Sequence, residues 1–451
     1  MGLVNILGSF VHKTKYEDLP ADTIDGAKER LLDFLGGSFF ESKGDIIQPL
    51  IKVMQSYGGV KESSVIGRKD KLPCPQAAFI NSGMSFDTGD IPHTGVMAIA
   101  AALAIAEVES KNRAISGKDL VLAIVLGYEV AMRVEHAMIP SPFVRAFDST
   151  GIVGPLAAAA AAGKILALDE AEMADALAIS SSLGIGSMEA SRPPRPFVLL
   201  QIGRACEAGV ISALLAREGV QGGDTMLEKG FIPAFSDRLD IDSIEEGLGK
   251  NFGIATTVIK LHGGCHALHP SVDTIALIVD EHKITSDDIE RIKVQVCPGT
   301  ITEHLDMDYP ENGEAARFST PFALASFLVY GDAFQDKFTD THLSNPKVRE
   351  LINKTTIERS KELEKQSPNW SNRKRAVIVE ILTRDGRTLS RRSDFAKGDQ
   401  EWPITRAEIE MKFNHLASRT LDSEQRQVVI SYISKLESML EISGFFPLLR
   451  S

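Results

Sequence analysis

The chain has 451 residues and a formal net charge of -12, with 49 Lys and Arg against 61 Asp and Glu, and 43% of its residues are hydrophobic. This length suffices for two or three domains with a large apolar core, and the composition is that of an ordinary soluble protein. The net negative charge gives no global attraction to nucleic acid or to anionic membranes, so we expect neither as a partner.

The N-terminal segment lacks the basic start and the continuous apolar core of a signal peptide. The four cysteines are far apart and form no CxxC pair: Cys74, Cys206, Cys265 and Cys297. Both features predict a protein of the reducing cytoplasm. The longest apolar run, residues 152–168, is rich in Ala and broken by Gly, Pro and Lys, which indicates a buried helix and not a membrane span.

From about Asp18 to Gly263 the sequence predicts one helix after another. Apolar residues recur at helical spacing in segments 22–43, 94–110, 116–138, 168–184 and 199–220. Ser116 is a candidate N-cap, because its hydroxyl can accept a hydrogen bond from an amide of the first turn. The helix faces are rich in Ala and Gly, which let helix axes approach closely, so we expect a tight helical bundle.

After about Pro270 the pattern becomes mixed. Segment 271–282 reads as a helix, segment 284–296 ends in a strand, and segment 375–393 reads as two strands about a turn at Asp385-Gly386. The last fifty residues return to amphipathic helix. The predicted fold is therefore mainly α: a large all-helical domain formed by residues 1–269 and 401–451, with an inserted smaller α+β domain of residues 270–400.

The stretch "KLHGGCHALHP", residues 260–270, contains three of the ten histidines. The H-x3-H-x2-H spacing and the neighbouring thiol would suit a metal, but the Gly-Gly pair disfavours a rigid helix holding two ligands, and no fourth ligand is evident. Unperturbed imidazole titrates near neutral pH, which favours acid-base chemistry. A third interpretation is that some of these histidines, His262 above all, only cap or line the following helix.

Several segments together carry a family resemblance. They are "SFDTGDIPHTGVMAIAAALAIAE", "SGKDLVLAIVLGYEVAMR", "GIVGPLAAAAAAGKILALDEAEMADALAIS", "GRACEAGVISALLAREGV", "CHALHPSVDTIAL" and "AARFSTPFALASFLVYG". In this order they resemble the MmgE/PrpD family, which includes 2-methylcitrate dehydratase, cis-aconitate decarboxylase and iminodisuccinate epimerase. The resemblance implies a helical domain built from both chain ends, an α+β domain between them and a homodimer. It also implies a site without metal or cofactor for a small di- or tricarboxylate, with proton transfer at a carbon next to a carboxylate.

The resemblance also suggests catalytic residues. His269 corresponds to the histidine of the family motif in its segment, and His93 aligns with a second functional histidine, so we expect the two to face one another. His266 is a further candidate for acid-base catalysis or for packing. Because enolate formation adds negative charge to an anion, cations and hydrogen-bond donors should lie nearby.

The candidate substrate-binding residues fall into two groups. Arg145, Arg192 and Arg195 lie on Pro-rich loops where a family member holds its substrate, and guanidinium groups grip carboxylates through two hydrogen bonds. Lys260 is another cation beside the histidine-rich stretch. Loop arginines are also often merely solvated.

The chain departs from the decarboxylase-type pattern at four positions. Ser85 stands where that pattern has Asp, and the pattern has a Thr near the position of Gly89. Asp148 stands where the pattern has His, and Val198 where it has Lys. Ser85 and Asp148 therefore join the substrate-binding candidates. The lost acid could be replaced by Asp87 or Asp90, and the lost cation by Lys260 or by an arginine of "RPPR".

Three functions remain open from the sequence. The first is a lyase or isomerase acting on a small polycarboxylate. The second is a catalytically silent paralogue that binds a carboxylate or serves as a structural partner, which the missing Lys and His favour. The third is a metal hydrolase that uses the histidine-rich stretch, and metal analysis of the purified protein would distinguish it.

Overall fold

The computed structural model describes residues 2–191, 197–297, 308–366 and 376–450. Up to Thr257 the described helices are α1 (Leu3–Lys13), α2 (Ala21–Glu41), α3 (Ile47–Ser56), α4 (Cys74–Ser85), α5 (Gly95–Glu109), α6 (Gly117–Met138), α7 (Ser141–Val144), α8 (Ser149–Leu166), α9 (Glu170–Ser181), α10 (Val198–Arg217), α11 (Ile232–Phe235) and α12 (Ile241–Glu245). A short antiparallel ribbon, β1 (Ser63–Ser64) and β2 (Lys71–Leu72), interrupts them. The part expected to be all-helical is therefore not entirely so, because the loop after α3 folds back on itself.

From Val258 to Thr405 helices and strands alternate. The helices are α13 (His269–His282), α14 (Gly313–Ala316), α15 (Thr320–Tyr330), α16 (Asp340–Leu343), α17 (Pro346–Asn353) and α18 (Lys361–Gln366). The strands are β3 (Ile289–Val296), β4 (Thr355–Arg359), β5 (Val377–Thr383) and β6 (Thr388–Ser393). The chain then ends in α19 (Arg406–Ala417) and α20 (Ser423–Ser434).

The chain divides into two compact units. The first contains Met1–Ser191, Phe197–Thr257 and Arg406–Ser451, and the second contains Val258–Thr405. The second unit thus begins at Val258 and not at residue 270, and it ends at Thr405 and not at residue 400. The histidine-rich stretch consequently belongs to the second unit.

The first unit packs its helices through small residues. Helix α8 lies against α5, α6 and α10. A Cβ on Gly209 of α10 would come within 2.3 Å of the Pro155 carbonyl oxygen, and one on Gly127 of α6 within 2.8 Å of the Ala157 carbonyl oxygen. The close packing that the sequence predicts is confirmed. Ser116 is also confirmed as the N-cap of α6, since its Oγ accepts a hydrogen bond from the Asp119 amide at 3.1 Å.

Helices α8 and α10 are long and apolar enough to cross a membrane. However, 89% of the apolar window of α8 and 56% of that of α10 are buried inside the protein. The core helix of a soluble protein passes the same test, so the two helices are weak evidence for a membrane span.

The second unit is built on a four-stranded sheet in the order β4-β3-β5-β6. Strands β3 and β4 are parallel, and the other neighbours are antiparallel. The predicted hairpin is confirmed, with Gly386 at φ 87° in its turn. Strand β4 was not predicted, because its mostly exposed sequence TTIER lacks apolar alternation. The buried side chains of β3 and β5 share one core with α13 and α15.

A candidate acid-base site built around buried histidines

The histidine-rich stretch turns tightly before it enters α13. Gly264 has φ 74°, and a Cβ on Gly263 would lie 2.7 Å from the Phe338 ring. The amide of Gly264 donates to the Gln335 side-chain oxygen at 3.3 Å. Only glycine permits this conformation and this close approach, so the Gly-Gly pair brings both flanking histidines into the core of the second unit.

Three imidazoles lie together at the start of α13. His262, His266 and His269 are 8%, 6% and 0% exposed. The ring centroid of His269 is 5.2 Å from that of His262 and 5.1 Å from that of His266. The sequence favoured His269 for the site and left both His266 and His262 open between site and packing. All three form one buried cluster.

Two carboxylates accompany this cluster. Asp273 Oδ1 lies 2.9 Å from His262 Nε2, and its Oδ2 accepts a hydrogen bond from the Lys397 amide at 2.8 Å. Asp399 Oδ1 lies 3.4 Å from His266 Nε2. Neither acid was predicted from the sequence. The spacing in the sequence could have indicated Asp273, because it follows His269 by four residues and so lies on the same helix face. Asp399 reaches the site only through the tertiary fold.

Lys260 brings a cation into the same stretch. Its side chain is buried, and its Nζ donates to the Gly264 carbonyl oxygen at 3.4 Å. A buried ammonium group is a local positive charge of the kind that an anionic substrate requires. Lys260 therefore binds the backbone of the turn that joins His262 to His266.

His93 belongs to the first unit. It follows a cis Ile91-Pro92 bond and lies just before α5, and its ring centroid is 4.5 Å from that of Phe86 with the two planes at 47°. Ser85, at the end of α4, is fully buried and donates its hydroxyl to the Phe34 carbonyl oxygen at 2.9 Å. Ser85 and His93 therefore flank a single turn, with the Ser85 hydroxyl already engaged by the backbone of α2.

Charged groups are buried beside the His93 turn. Lys412 of α19 contacts Asp33 Oδ1 at 2.5 Å and donates to the Thr88 carbonyl oxygen at 2.7 Å. Asp90 is 3% exposed, and burial raises its pKa to about 6, with Arg30 lowering the pKa and Asp33 raising it. Lys412 and Asp33 are 379 residues apart in sequence, so no local pattern signalled this contact.

Asp148 and Arg145 have local partners in the first unit. Asp148 is the N-cap of α8: it accepts from the Thr150 amide at 3.0 Å and from the Gln201 side chain at 2.7 Å. Burial raises the pKa of Asp148, while these hydrogen bonds lower it. Arg145 forms an ion pair with Asp237. A substrate would therefore compete with existing partners at both residues.

For the other residues that the sequence singled out, the described part of the chain gives no further site contacts. Arg192 and Arg195 lie outside the described residues. Val198 is buried at the start of α10 and supplies no charge where the family pattern has Lys. Within the described residues, no group of three His, Cys, Asp or Glu side chains is arranged to hold a metal ion.

Sequence comparison assigns the family. The model of the MmgE/PrpD N-terminal domain matches residues 5–243, and that of the C-terminal domain matches residues 262–438. The chain belongs to the MmgE/PrpD family. These two matches cover most of its length, and the second includes the histidine cluster.

Relatives in this family include decarboxylases. Cis-aconitate decarboxylase of Mus musculus is 27% identical over 476 residues, covering 100% of this chain and 94% of the relative. The Homo sapiens enzyme is 27% identical over 473 residues, covering 100% and 95%. Cis-aconitate decarboxylase-like protein oryM of Aspergillus oryzae is 27% identical over 471 residues, covering 98% and 96%. Similarity thus extends along the whole MmgE/PrpD chain.

Proposed function

We propose that this protein is a lyase that moves a proton at a carbon next to a carboxylate of a small di- or tricarboxylate. The observation that carries the proposal is the buried cluster of His262, His266 and His269 with Asp273, whose connecting turn also binds the buried Lys260. Family membership and end-to-end similarity to cis-aconitate decarboxylases support it.

The chemistry explains why such residues are useful. Removing a proton next to a carboxylate moves the C–H electron pair into the carboxylate and creates a dianionic enolate, which nearby cations and donors stabilise. An imidazole is substantially neutral at pH 7 and can accept the proton without strong perturbation. Lys260 would stabilise the enolate, and Arg145, Arg192 and Arg195 would bind the remaining carboxylates.

His93 and His269 are the proposed catalytic pair. One would remove the proton, and the other, or His266, would deliver a proton to the opposite face or to a leaving group. On this proposal the two histidines act on the same substrate molecule. The enzyme would need no metal or cofactor and would act as a cytoplasmic homodimer.

Cis-aconitate is the first substrate to test, because the Mus musculus and Homo sapiens relatives are named for its decarboxylation. Loss of CO₂ leaves an electron pair on carbon that must be protonated, which gives a five-carbon dicarboxylate. Dehydration and epimerisation start instead with removal of a proton next to a carboxylate: dehydration then expels water, and epimerisation returns a proton to the opposite face. Val198 and Asp148, which replace the Lys and His of the decarboxylase-type pattern, are the reason to test all three outcomes.

A silent paralogue is the second candidate. Val198 adds no charge, and Asp148 is committed to capping α8. A protein that lost two functional groups in this way could still bind a polycarboxylate through its remaining cations. Binding without turnover of any tested compound would favour this alternative.

A proton-NMR screen in D₂O tests the proposal. Cis-aconitate, trans-aconitate, citrate, 2-methylcitrate and iminodisuccinate are incubated with the enzyme, and product formation and deuterium incorporation next to a carboxylate are followed. General acid-base catalysis contributes about 10²- to 10⁴-fold, so His93→Ala and His269→Ala should each lose turnover on that scale. His282→Ala, at the exposed end of α13, is the matched control and should retain it.

The outcomes separate the alternatives. Full turnover and exchange in both His93→Ala and His269→Ala would refute the catalytic assignment. No exchange by the wild-type protein with any of the five compounds would refute the enzymatic proposal and leave the silent paralogue.

A further inference from the structure

His262 has an arrangement that packing alone does not explain. Its Nε2 lies 2.9 Å from Asp273 Oδ1. Its Nδ1 is buried and has no hydrogen-bond partner within the described residues. A buried polar atom without a partner destabilises the folded state, and native proteins contain few of them.

The partner of Nε2 determines where the proton of a neutral His262 lies. An ionised carboxylate only accepts hydrogen bonds, so Asp273 requires a proton on Nε2. Nδ1 then carries a lone pair, which makes it the basic atom of the ring. Asp273 is itself held in place, since its second oxygen accepts a hydrogen bond from the Lys397 amide at 2.8 Å.

This basic atom belongs to a ring that touches the proposed site. The His262 ring is edge-on to that of His269, with centroids 5.2 Å apart and planes at 69°. An imidazole that is oriented by a buried carboxylate, and whose other nitrogen carries a lone pair with no protein partner, has the arrangement of a general base. Nothing in the family comparison gives His262 such a role.

We propose that His262 is a further catalytic residue whose Nδ1 accepts the proton removed from the substrate, and that Asp273 is its positioning residue. The inference rests on the proposed function and gives His262 the proton-removing role, which leaves His93 or His269 to deliver the second proton. It would offset the loss of the family histidine at Asp148.

The proton moves from the substrate carbon to His262 Nδ1. The Nδ1 lone pair forms a bond to the substrate proton, the C–H bond breaks, and its electron pair enters the carboxylate as the enolate. His262 becomes an imidazolium ion that Asp273 stabilises. In D₂O this imidazolium exchanges its proton with solvent, and return of a deuteron to carbon places deuterium next to the carboxylate.

His262→Gln separates catalysis from packing. A Gln side chain can still donate an N–H to Asp273 but has no basic nitrogen. A catalytic role predicts that His262→Gln folds and binds substrate with little change in KM, while kcat and deuterium exchange fall by about 10²- to 10⁴-fold. A purely structural role predicts near-wild-type turnover, and His282→Gln is the control with the same substitution on α13.

Asp273→Asn and a spectroscopic measurement test the positioning role. Nitrogen-15 NMR of histidine-labelled wild-type protein should show neutral His262 protonated on Nε2. Asp273→Asn can offer His262 an N–H in place of an acceptor, so it should weaken this tautomer preference and lower kcat more than it raises KM. The NMR measurement uses the wild-type protein alone, so it needs no substrate and does not depend on whether a variant folds.

Each result decides a separate question. A wild-type His262 protonated on Nδ1, or full exchange in a folded His262→Gln, would overturn this inference and leave the proposed function standing. No exchange by wild-type protein with any tested polycarboxylate would overturn both. Loss of exchange in His262→Gln with His282→Gln unaffected would support the inference.

Discussion

Asp90→Asn should stabilise the protein at neutral and higher pH. Asp90 is 3% exposed, and burial raises its pKa from 3.8 to about 6. The folded state therefore binds this proton more tightly than the unfolded chain does. The stabilisation from the protonated carboxyl group is fully present below about pH 4 and is lost as the pH rises through about 6.

The size of the effect follows from the shift in the pKa. Each pKa unit corresponds to about 1.4 kcal/mol, so ionised Asp90 costs the folded state about 3 kcal/mol above pH 7. Arg30 offsets part of the burial cost, and Asp33 adds to it. The neutral Asn side chain has nearly the same shape and does not incur the cost of ionisation.

Unfolding in urea, followed by far-ultraviolet circular dichroism between pH 4 and pH 8, measures the effect. The difference in unfolding free energy between Asp90→Asn and wild type should be small near pH 4 and grow in favour of the variant up to about pH 7. Asp280→Asn changes a fully exposed carboxylate by the same charge and serves as control. An Asp90→Asn protein that is less stable than wild type at pH 7.5, or a difference that does not vary with pH, would refute the reasoning.

Three further predictions concern the packing of the first unit. Gly37→Ala would place a Cβ 1.8 Å from Thr88 Oγ1, so calorimetry should show a loss of about 1–3 kcal/mol, and Thr88→Ala should restore most of it; an unchanged melting temperature in Gly37→Ala would contradict this. Lys412→Met removes the cation that contacts the buried Asp33 carboxylate and should cost about 3–5 kcal/mol in urea unfolding, whereas adding Asp33→Asn should recover part of that loss, and equal stability of the single and double variants would be the contrary result. Truncation after Thr405 removes α19 and α20, whose buried faces belong to the first unit, and we expect loss of cooperative unfolding; a truncated chain that melts sharply would show that this unit folds without them.

Several features of the molecule are determined by short stretches of sequence. The Ser116 cap, the hairpin about Asp385-Gly386 and the helix at 271–282 were predicted from propensity and spacing, and all three are present. Such features depend on residues within one or two turns of each other. The family, too, could be assigned from the sequence alone, because its motifs occur as contiguous blocks in a fixed order.

The candidate site was predictable only in part. The "HGGCHALH" stretch identified the histidine cluster, because its residues are neighbours in the chain and Gly264 can adopt the positive φ that its turn requires. The sequence did not reveal that Asp273 lies beside His262 and Asp399 beside His266. Distinguishing a packing histidine from a catalytic one requires the hydrogen-bond partner of each nitrogen, and sequence spacing does not give that partner.

Other features were decided by the tertiary structure alone. Lys412 reaches Asp33 and the Thr88 carbonyl oxygen from the other end of the chain, and burial of Asp90 raises its pKa to about 6. Strand β4 pairs in parallel with β3 although its own residues give no clear strand pattern. A periodic pattern records which face of an element is apolar, but contacts between distant segments and the solvent exclusion that shifts a pKa exist only after those faces have packed together.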